Sequence, residues 1–544
     1  MTSMWIYQGA KASPGLVMGP VRRLEHGGAG LERVVQAPGR EQALLNAAVV
    51  LAKDELRQLE DAAEGTDKDI FLFQQLMLDD PSLNQEIAGY IAAGAGAAPA
   101  MERAARICAG RIEAAEDEYI RLRAVDVLDA CRRVVDILDG RPRNPLRLDT
   151  PSILVSENIY PSDIVSIDRG MILGLASAGG SAQSHAAIIA RTMGIPALVQ
   201  VEGDFLDRGS VAGAVLDADN GRLILEPDEA VRKDAQRRIV GASILKKRLA
   251  VLAGEPCFTK DGTRVELLAS CSGPEDVELA IEAGAEGVGL LRSEFVITQG
   301  RMPSEEEQYY FYLGCLQAAG GRPVTVRTFD IGADGPVPGF EEDAPNPALG
   351  MRGVRMSMLH PQLFHEQLCA LLRASAHGSL RIALPMVSCP EDWRMAMEHV
   401  KKARRDLRRR GAVFNGDTEI GCMVEVPSAA VLTAEILAAG CQFVVVGTND
   451  LIQYTYAADR LDGRFAAYFD GRCAAVHRLV DLVLAAAAPL AVPVSVCGLH
   501  AGSPNQAVRY VRQGVRCIST EAASLLAVKA RLLEEDLTAP PAAD

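Results

Sequence analysis

Arginines, acidic residues, an amide and a thiol directly follow short apolar runs in the second half of the chain. In chain order, this strand-end set comprises Arg292, Arg327, Asp330, Glu425, Asn449, Asp450 and Cys497. In barrels of alternating strands and helices, the residues that act on a substrate come from the carboxyl ends of the strands. If the runs are neighbouring parallel strands, these side chains share one face of the fold.

The chemistry of this set indicates a phosphorylated, anionic substrate. Arg292 and Arg327 can each hold a phosphate or a carboxylate through two parallel charge-assisted hydrogen bonds. Glu425 and Asp450 offer hard oxygen ligands, which suit Mg²⁺ bound jointly with a substrate phosphate. Arg460 follows Asp450 closely enough to reach the same pocket.

Cys497 adds an acid to the set. A thiol of ordinary pKa, about 8.5, is mostly protonated at neutral pH and can donate a proton. A simpler interpretation of any one of these residues is that strand ends face solvent and therefore carry polar side chains. That interpretation accounts for single positions, but not for two arginines, two carboxylates and a cysteine together.

A second candidate centre is His185, which follows the glycine-rich segment 178–184 and opens the helix-like residues 186–191. The backbone N–H groups of such a loop and the start of a helix both favour a bound anion. A phosphate carried on the imidazole would lie at the positive end of the helix dipole. A histidine at a helix start is commonly a capping or surface residue, but the phosphate-directed strand-end set favours a catalytic role here.

The strand-end set requires a regular scaffold, and the second half of the chain predicts one. Apolar runs alternate with loops and helical segments from about residue 258. The runs are 265–269, 287–291, 324–326, 380–385, 420–424, 443–446, 492–496 and 516–519. Eight such runs predict a C-terminal (β/α)₈ TIM barrel, with a doubly wound sheet as the less supported alternative.

The first half of the chain contains two segments in which apolar residues are spaced differently. Residues 40–140 show apolar positions at helical spacing, which predicts a helical bundle. Short β-like runs then follow, which predict an α/β domain. The opening run 13–21 also looks like a strand, so the bundle is interpreted as an insertion into that α/β domain. The polar stretch 227–253 has the composition of a linker.

Composition narrows the function classes. The 544 residues carry 56 Lys and Arg against 71 Asp and Glu, a formal net charge of -15, which argues against nucleic-acid binding. The basic run 401–410 is interpreted as the solvated face of a helix. Twelve cysteines without a C-x-x-C pair argue against a zinc ribbon or a disulfide framework. No signal peptide or membrane span is predicted, so we expect a cytoplasmic protein.

Several segments in register resemble the phosphoenolpyruvate-utilising enzymes, most closely the enzyme I branch that serves the bacterial sugar phosphotransferase system. They are SPGLVMGPV, EDEYIRLRAVDVLD, VRTFDIGAD, NPALGMRGVR, LRASAHGSLRIALPMVS, VEVPSAA and GTNDLIQYTYAADR. The resemblance runs through nearly the whole chain. It implies a phosphohistidine α/β swivelling domain (1–24 and 145–228), a helical carrier-binding domain (25–144), a linker (229–256) and a phosphoenolpyruvate-binding barrel (257–544).

The resemblance also implies a mechanism. Phosphoenolpyruvate would bind in the barrel with Mg²⁺ on Glu425 and Asp450, His185 would take the phosphoryl group, and Cys497 would protonate the enolate to give pyruvate. The groups that would grip the substrate are Arg292, Arg327, Asn449, Asp450 and Arg460, with Arg352 nearby. The phosphoryl group would pass to a histidine of the carrier protein HPr, docked on a patch of Phe71, Phe73, Leu76 and Met77, for which core packing is an equally good interpretation. A homodimer through the barrel is expected.

Departures from the family pattern leave alternatives open. The loop before His185 has one extra residue and lacks the usual threonine, so Gln183 or Ser184 is expected to bond the imidazole; Gly335 stands where a lysine is expected. Leu499 and His500 stand where an acidic residue usually follows the cysteine and glycine, and His500 is proposed as its replacement, a proton relay or charge partner. The alternatives are a paralogue serving another carrier, such as one for dihydroxyacetone kinase or nitrogen regulation, and a non-catalytic phosphoenolpyruvate sensor. Dikinase and synthase relatives need an ATP-grasp domain for which the chain has no room.

Overall fold

The computed structural model describes residues 4–24, 35–62, 67–113, 123–140, 148–182, 184–208, 211–297, 301–331, 346–460, 463–469 and 473–540. The chain divides into two compact units, Met1–Ile244 and Leu245–Asp544. Within the described ranges, no helix is both long and apolar enough to cross a bilayer.

The first unit contains a bundle of helices with its own core. The described helices are α1 (Pro38–Ala62), α2 (Asp67–Met77), α3 (Pro81–Ala92), α4 (Ala97–Glu113) and α5 (Ala124–Leu138). Helix α1 buries Leu45, Ala48, Ala52 and Leu56, which recur every three or four residues and so share one face. Asp80 caps α3 by accepting hydrogen bonds from two backbone N–H groups, as its position before a proline favours.

The rest of the first unit is an α/β layer built on two sheets. Its strands are β1 (Trp5–Gln8), β2 (Ala10–Ser13), β3 (Leu16–Gly19), β4 (Val21–Arg23), β5 (Ser152–Ser156), β6 (Ile172–Ser177), β7 (Ala197–Val199), β8 (Ala214–Asp217) and β9 (Arg222–Leu225). Their orders are β1-β9-β8-β3 and β2-β7-β6-β5-β4. Strand β4 pairs in parallel with β5, so the chain leaves this sheet, forms the bundle and returns. The predicted opening strand is divided at Gly15, whose φ of 131° suits glycine.

Two further helices of this unit, α6 (Pro161–Val165) and α7 (His185–Thr192), pack on the sheet whose strand order runs from β2 to β4. Helix α8 (Glu229–Ala250) crosses the boundary between the units, in the stretch predicted to be a linker. The domain boundaries assigned from sequence within the first unit stay a prediction.

The second unit is a closed barrel. Its strands are β10 (Cys257–Phe258), β11 (Arg264–Cys271), β12 (Val288–Arg292), β13 (Val324–Arg327), β14 (Leu380–Leu384), β15 (Ile420–Val424), β16 (Val444–Gly447), β17 (Val494–Cys497) and β18 (Cys517–Thr520). Strands β11 to β18 pair in parallel with their neighbours, and β18 pairs back onto β11. The predicted multidomain α/β fold with a C-terminal (β/α)₈ barrel is therefore confirmed.

Helices cover the outside of the barrel. They are α9 (Pro274–Glu282), α10 (Glu305–Ala318), α11 (Val354–Leu359), α12 (Pro361–Ala374), α13 (Pro390–Arg409), α14 (Pro427–Val431), α15 (Thr433–Ala438), α16 (Thr448–Tyr456), α17 (Ala474–Ala487), α18 (Pro504–Gln513) and α19 (Ala522–Leu533). Helix α13 buries Trp393, Val400 and Leu407 on one face. Most of its basic residues are exposed, which confirms the predicted solvated face.

Candidate functional site

The predicted strand-end residues lie together at the carboxyl end of the barrel. Arg292 and Arg327 are the last residues of β12 and β13, and Glu425 follows β15. Asp450 lies in the first turn of α16, directly after β16, and Cys497 ends β17. Because these strands are parallel and adjacent, one mouth carries all these side chains.

Arg352 connects two acidic side chains of this mouth through hydrogen bonds. Its Nε and Nη2 donate to the two carboxylate oxygens of Asp330 at 3.0 and 2.6 Å, and its Nη1 donates to Asp450 Oδ1 at 3.0 Å. Arg327 joins the same network, 3.1 Å from Asp330 and 3.1 Å from Glu294. Arg352 is only 1% exposed, so within the protein interior it fixes Asp330, from the loop after β13, and Asp450, from the first turn of α16.

Arg292 and Arg460 add two further guanidinium groups to the mouth. Among the described residues Arg292 has no carboxylate partner; its Nη2 donates to Ser272 Oγ at 2.9 Å. Arg460 Nη1 is 3.6 Å from Asp450 Oδ2. The Nε atoms of Arg292 and Arg327 are buried and have no hydrogen-bond partner in the described part of the chain. Buried, unsatisfied donors of this kind are expected where an anionic ligand binds.

Like charges crowd the acidic side of the mouth. Burial raises the pKa of Glu425 to about 8, with further contributions from Asp450 and Asp330. Burial also raises the pKa of Asp450. Burial alone would raise the pKa of Asp330, but Arg327 and Arg352 lower it. Two buried carboxylates that resist ionisation beside one another are the electrostatic environment that a divalent cation stabilises.

Cys497 is a buried thiol in this mouth. Burial, together with the Glu425 carboxyl, raises its pKa to about 12, so that it is protonated at neutral pH. Thr448 Oγ1 donates to the Cys497 carbonyl at 2.7 Å. The next residue, Gly498, has a φ of 105°, and a Cβ there would lie 2.4 Å from Thr448 Oγ1 and 2.8 Å from Asn449 Oδ1. Only glycine fits this turn, which sets the thiol beside the start of α16.

His500 does not supply the charge of the acidic residue it was proposed to replace. It is 5% exposed, and its Nδ1 is 2.7 Å from the Tyr510 hydroxyl. Burial, with a contribution from His477, lowers its pKa to about 4, so the imidazole is neutral at pH 7. A neutral imidazole does not carry the charge that the charge-partner alternative requires, and both that alternative and the relay role stay predictions.

His185, in the first unit, opens α7. Ser184 caps this helix, with its hydroxyl accepting from the Ala187 N–H at 3.3 Å. The imidazole Nδ1 is 2.8 Å from Oδ2 of Asp126 on α5, a side chain that is 1% exposed. Since a carboxylate accepts hydrogen bonds, Nδ1 carries the proton and Nε2 is left with its lone pair. Among the described residues, the imidazole is bonded to Asp126, while the Ser184 hydroxyl caps the helix; Gln183 lies outside the described residues, as does Gly335.

Three residues of these sites were missed in the sequence. Glu294 follows Arg292 by two positions, and Tyr454, whose hydroxyl is 3.0 Å from Arg352 Nη1, lies one helical turn after Asp450. Both lie within a few residues of a strand-end residue and could have been found by reading further along the sequence. Asp126 gave a weaker signal: its spacing from Asp129 places two acidic residues on the buried face of the helix, which also carries Arg133 and Asp136.

Three family models match the chain in order. The N-terminal domain of the PEP-utilising enzymes matches residues 8–123, their mobile domain matches residues 148–221, and their PEP-binding domain matches residues 246–537.

Individual proteins match over most of the chain. A phosphoenolpyruvate-protein phosphotransferase of Priestia megaterium is 34% identical over 535 residues, covering 96% of this chain and 93% of that protein. Another, of Cupriavidus necator, is 38% identical over 433 residues, covering 77% of this chain and 74% of that protein. An NMR solution structure of enzyme I is 24% identical and covers 44% of this chain and 99% of its own, with a TM-score of 0.35.

Proposed function

The chain belongs to the family of PEP-utilising enzymes, and we propose that it transfers the phosphoryl group of phosphoenolpyruvate to Nε2 of its own His185 and then to a histidine of an HPr-type carrier. The observation that carries this proposal is the arginine- and carboxylate-lined barrel mouth, in a chain that also holds a histidine with its Nδ1 on a buried carboxylate. The relatives named above support phosphoenolpyruvate-dependent phosphotransfer as the reaction class.

Substrate binding is assigned to the mouth. The buried Nε–H groups of Arg292 and Arg327, which have no partner among the described residues, would donate hydrogen bonds to the phosphate or carboxylate oxygens of phosphoenolpyruvate. Arg460 supplies a third positive charge from the loop after α16. Asn449 accepts a hydrogen bond from the Leu499 N–H at 3.0 Å, which leaves its amide N–H groups for the substrate. Phosphoryl transfer depends mainly on positioning and charge neutralisation, which this set provides.

A divalent metal ion is used by enzymes of this family, and Mg²⁺ is proposed here. Glu425 and Asp450 would hold it, because they are neighbouring oxygen donors whose pKa values are raised by burial, and a cation would favour their ionised forms. One oxygen of Glu425 already accepts the Met386 N–H at 2.7 Å, which orients the carboxylate. The ion would neutralise charge on the phosphate and on the departing enolate.

The transfer itself is assigned to His185 and Cys497. The Nε2 lone pair attacks phosphorus, so that the N–P bond forms while the bond between phosphorus and the enol oxygen breaks. The Cys497 thiol protonates the methylene carbon of the resulting enolate, which gives pyruvate, and the thiolate regains a proton from solvent. On His185, the phosphate would lie at the amino end of α7, where the helix dipole stabilises it.

The carrier is proposed to dock on the helical bundle. Of the expected patch, Phe71 is fully buried in the bundle core, so its side chain packs inside the bundle and is not accessible to a carrier. Leu76 is 62% exposed, whereas Phe73 and Met77 pack partly against the core. The exposed part of this face is the apolar surface we assign to the carrier. A homodimer through the barrel and a cytoplasmic location complete the proposal.

The test is autophosphorylation with phosphoenolpyruvate labelled in its phosphorus, in the presence of Mg²⁺. Wild type and His377→Ala, which removes an exposed histidine of the barrel unit, are expected to gain acid-labile label. His185→Ala is expected to gain none. Pyruvate should then accumulate in excess over enzyme only when HPr is supplied.

Other outcomes identify the alternatives. Label on His185 that does not pass to HPr would assign the chain to a different carrier. Phosphoenolpyruvate binding without label on wild type would identify a non-catalytic sensor and refute the proposed reaction.

A further inference from the structure

A cluster of metal-ligating side chains lies outside the barrel mouth, on the outer helices. It consists of His365 and Cys369 on α12 and Asp406 on α13, and we call it the α12–α13 cluster. Their potential ligand atoms all lie within 4.8 Å of one another. His365 and Cys369 are four residues apart, so they share one face of α12, and Asp406 approaches that face from the neighbouring helix.

Two of the three distances between the ligand atoms match a tetrahedral ion, and the third lies within 4.8 Å. His365 Nε2 is 3.3 Å from Asp406 Oδ2 and 3.6 Å from Cys369 Sγ. Zinc bonds of about 2.0–2.1 Å to nitrogen, 2.0–2.2 Å to oxygen and 2.3 Å to sulfur give ligand-to-ligand edges of about 3.3–3.6 Å in a tetrahedron. We propose that the α12–α13 cluster binds one Zn²⁺ through His365, Cys369 and Asp406.

The ligand types favour zinc over the ion assigned to the mouth. Thiolate and imidazole are soft and borderline ligands that select zinc, whereas magnesium requires oxygen donors. Cys369 is fully buried, while the side chains of His365 and Asp406 are 15% and 19% exposed. An ion can therefore enter from solvent past the imidazole and the carboxylate and reach the sulfur. Three protein ligands leave a fourth position for water.

Charged neighbours set the cost of binding. Asp406 is paired with Arg409 at 2.7 Å and with Arg410 at 3.2 Å, so zinc must displace at least one guanidinium contact. Arg410 keeps a second carboxylate partner, Glu305, at 3.0 Å, which compensates its charge when it releases Asp406. Burial, with a contribution from Glu305, raises the pKa of the Cys369 thiol to about 12, so zinc must also displace the thiol proton.

The proposal is tested with the full chain, stripped of metal and then titrated with Zn²⁺ in excess Mg²⁺, which saturates oxygen-donor sites. One equivalent of zinc is expected to bind. His365→Ala and Cys369→Ser should each weaken binding by more than about 100-fold, since loss even of outer-shell partners costs 10–100-fold. Cys389→Ser and His377→Ala, which remove a cysteine and a histidine outside the cluster, should bind zinc like wild type.

A second measurement keeps the test independent of how the variants fold. Wild-type protein loaded with Co²⁺ should show the intense visible bands of a tetrahedral site and a thiolate-to-cobalt charge-transfer band. Absence of that band, absence of stoichiometric zinc, or equal zinc binding by Cys369→Ser would each overturn the proposal. Phosphoryl transfer to His185 is scored separately, so failure of the zinc site leaves the proposed function unaffected.

Discussion

Replacement of Asp126 by asparagine tests the role of its carboxylate in positioning His185, although the same carboxylate also lies 3.6 Å from Arg123 Nη1. The carboxylate is 2.8 Å from Nδ1 and is 1% exposed, so it holds one tautomer with Nε2 free for attack. Asparagine keeps the size but can present its amide N–H to Nδ1, which moves the imidazole proton to Nε2 and blocks the nucleophile. A hydrogen bond to a charged group contributes about 1.5–3 kcal/mol. With about 1.4 kcal/mol for each factor of ten, phosphorylation should slow by about 10- to 100-fold.

The assay is the initial rate of label transfer from phosphoenolpyruvate to the enzyme, measured by rapid quench at saturating substrate. Asp129→Asn is the matched control: it lies on the same helix, is equally buried, and its carboxylate contacts Ser162 at 2.6 Å and Gln74 at 3.0 Å instead of His185. We expect the control to retain the wild-type rate. Nitrogen NMR of labelled histidine should report the proton on Nδ1 in wild type and in the control, and a shift toward Nε2 in Asp126→Asn.

We expect Asp126→Asn to be slower than wild type, and three results would contradict this expectation or its proposed cause. A rate for Asp126→Asn equal to or above that of wild type would mean that the carboxylate restrains His185 rather than preparing it. An equal slowing in Asp129→Asn would mean that both substitutions act through the packing of α5. An unchanged tautomer with a slowed reaction would likewise contradict the proposed cause.

Three further predictions concern the turn after β17. Cys497→Ala should lower the rate of proton transfer to the enolate carbon by about 10²–10⁴-fold, the usual contribution of a positioned acid. Proton exchange at the methyl group of pyruvate measures this step. Gly498→Ala places a Cβ 2.4 Å from Thr448 Oγ1 and should raise KM for phosphoenolpyruvate and lower Tm; Gly440→Ala, which has a similar φ of 99° and nothing within 4 Å, should lower Tm alone. Burial lowers the pKa of His500 to about 4, from about 6.5 when unfolded, so wild type should lose stability as pH falls through that window. His500→Asn should lose less over the same range, measured by denaturant titration.

The barrel site could be predicted from the sequence because each of its residues closely follows its own strand in the chain. A strand of four or five apolar residues fixes where its polar successor lies, so Arg292, Glu425 and Cys497 were found without knowledge of their contacts. The partner of His185 was not, because Asp126 lies 59 residues away in another part of the first unit. Helical spacing similarly shows that Phe71 lies on an apolar face but does not distinguish core from docking surface.

The charge balance of the mouth leads to a prediction about metal removal. Among the described residues of the mouth, four arginines face four carboxyl groups: Arg292, Arg327, Arg352 and Arg460 against Glu294, Asp330, Glu425 and Asp450. Burial raises the pKa values of Glu425 and Asp450, so a divalent cation that favours their ionised forms, together with the anion held by the arginines, balances the charge of the mouth better than either ligand alone. Opposite unit charges 4 Å apart attract by about 4 kcal/mol at an effective dielectric of about 20. About a third of that energy is enough to change an affinity about tenfold.

We therefore expect phosphoenolpyruvate and the divalent ion to bind cooperatively. Removal of the ion with EDTA should raise the Kd for phosphoenolpyruvate at least about tenfold in calorimetric titrations of His185→Ala, a variant that cannot turn the substrate over. By reciprocity, phosphoenolpyruvate should raise the affinity for the ion by the same factor. Equal phosphoenolpyruvate affinity with and without the ion would show that the arginines bind the anion by themselves, and that the acidic residues serve only to hold those arginines in place.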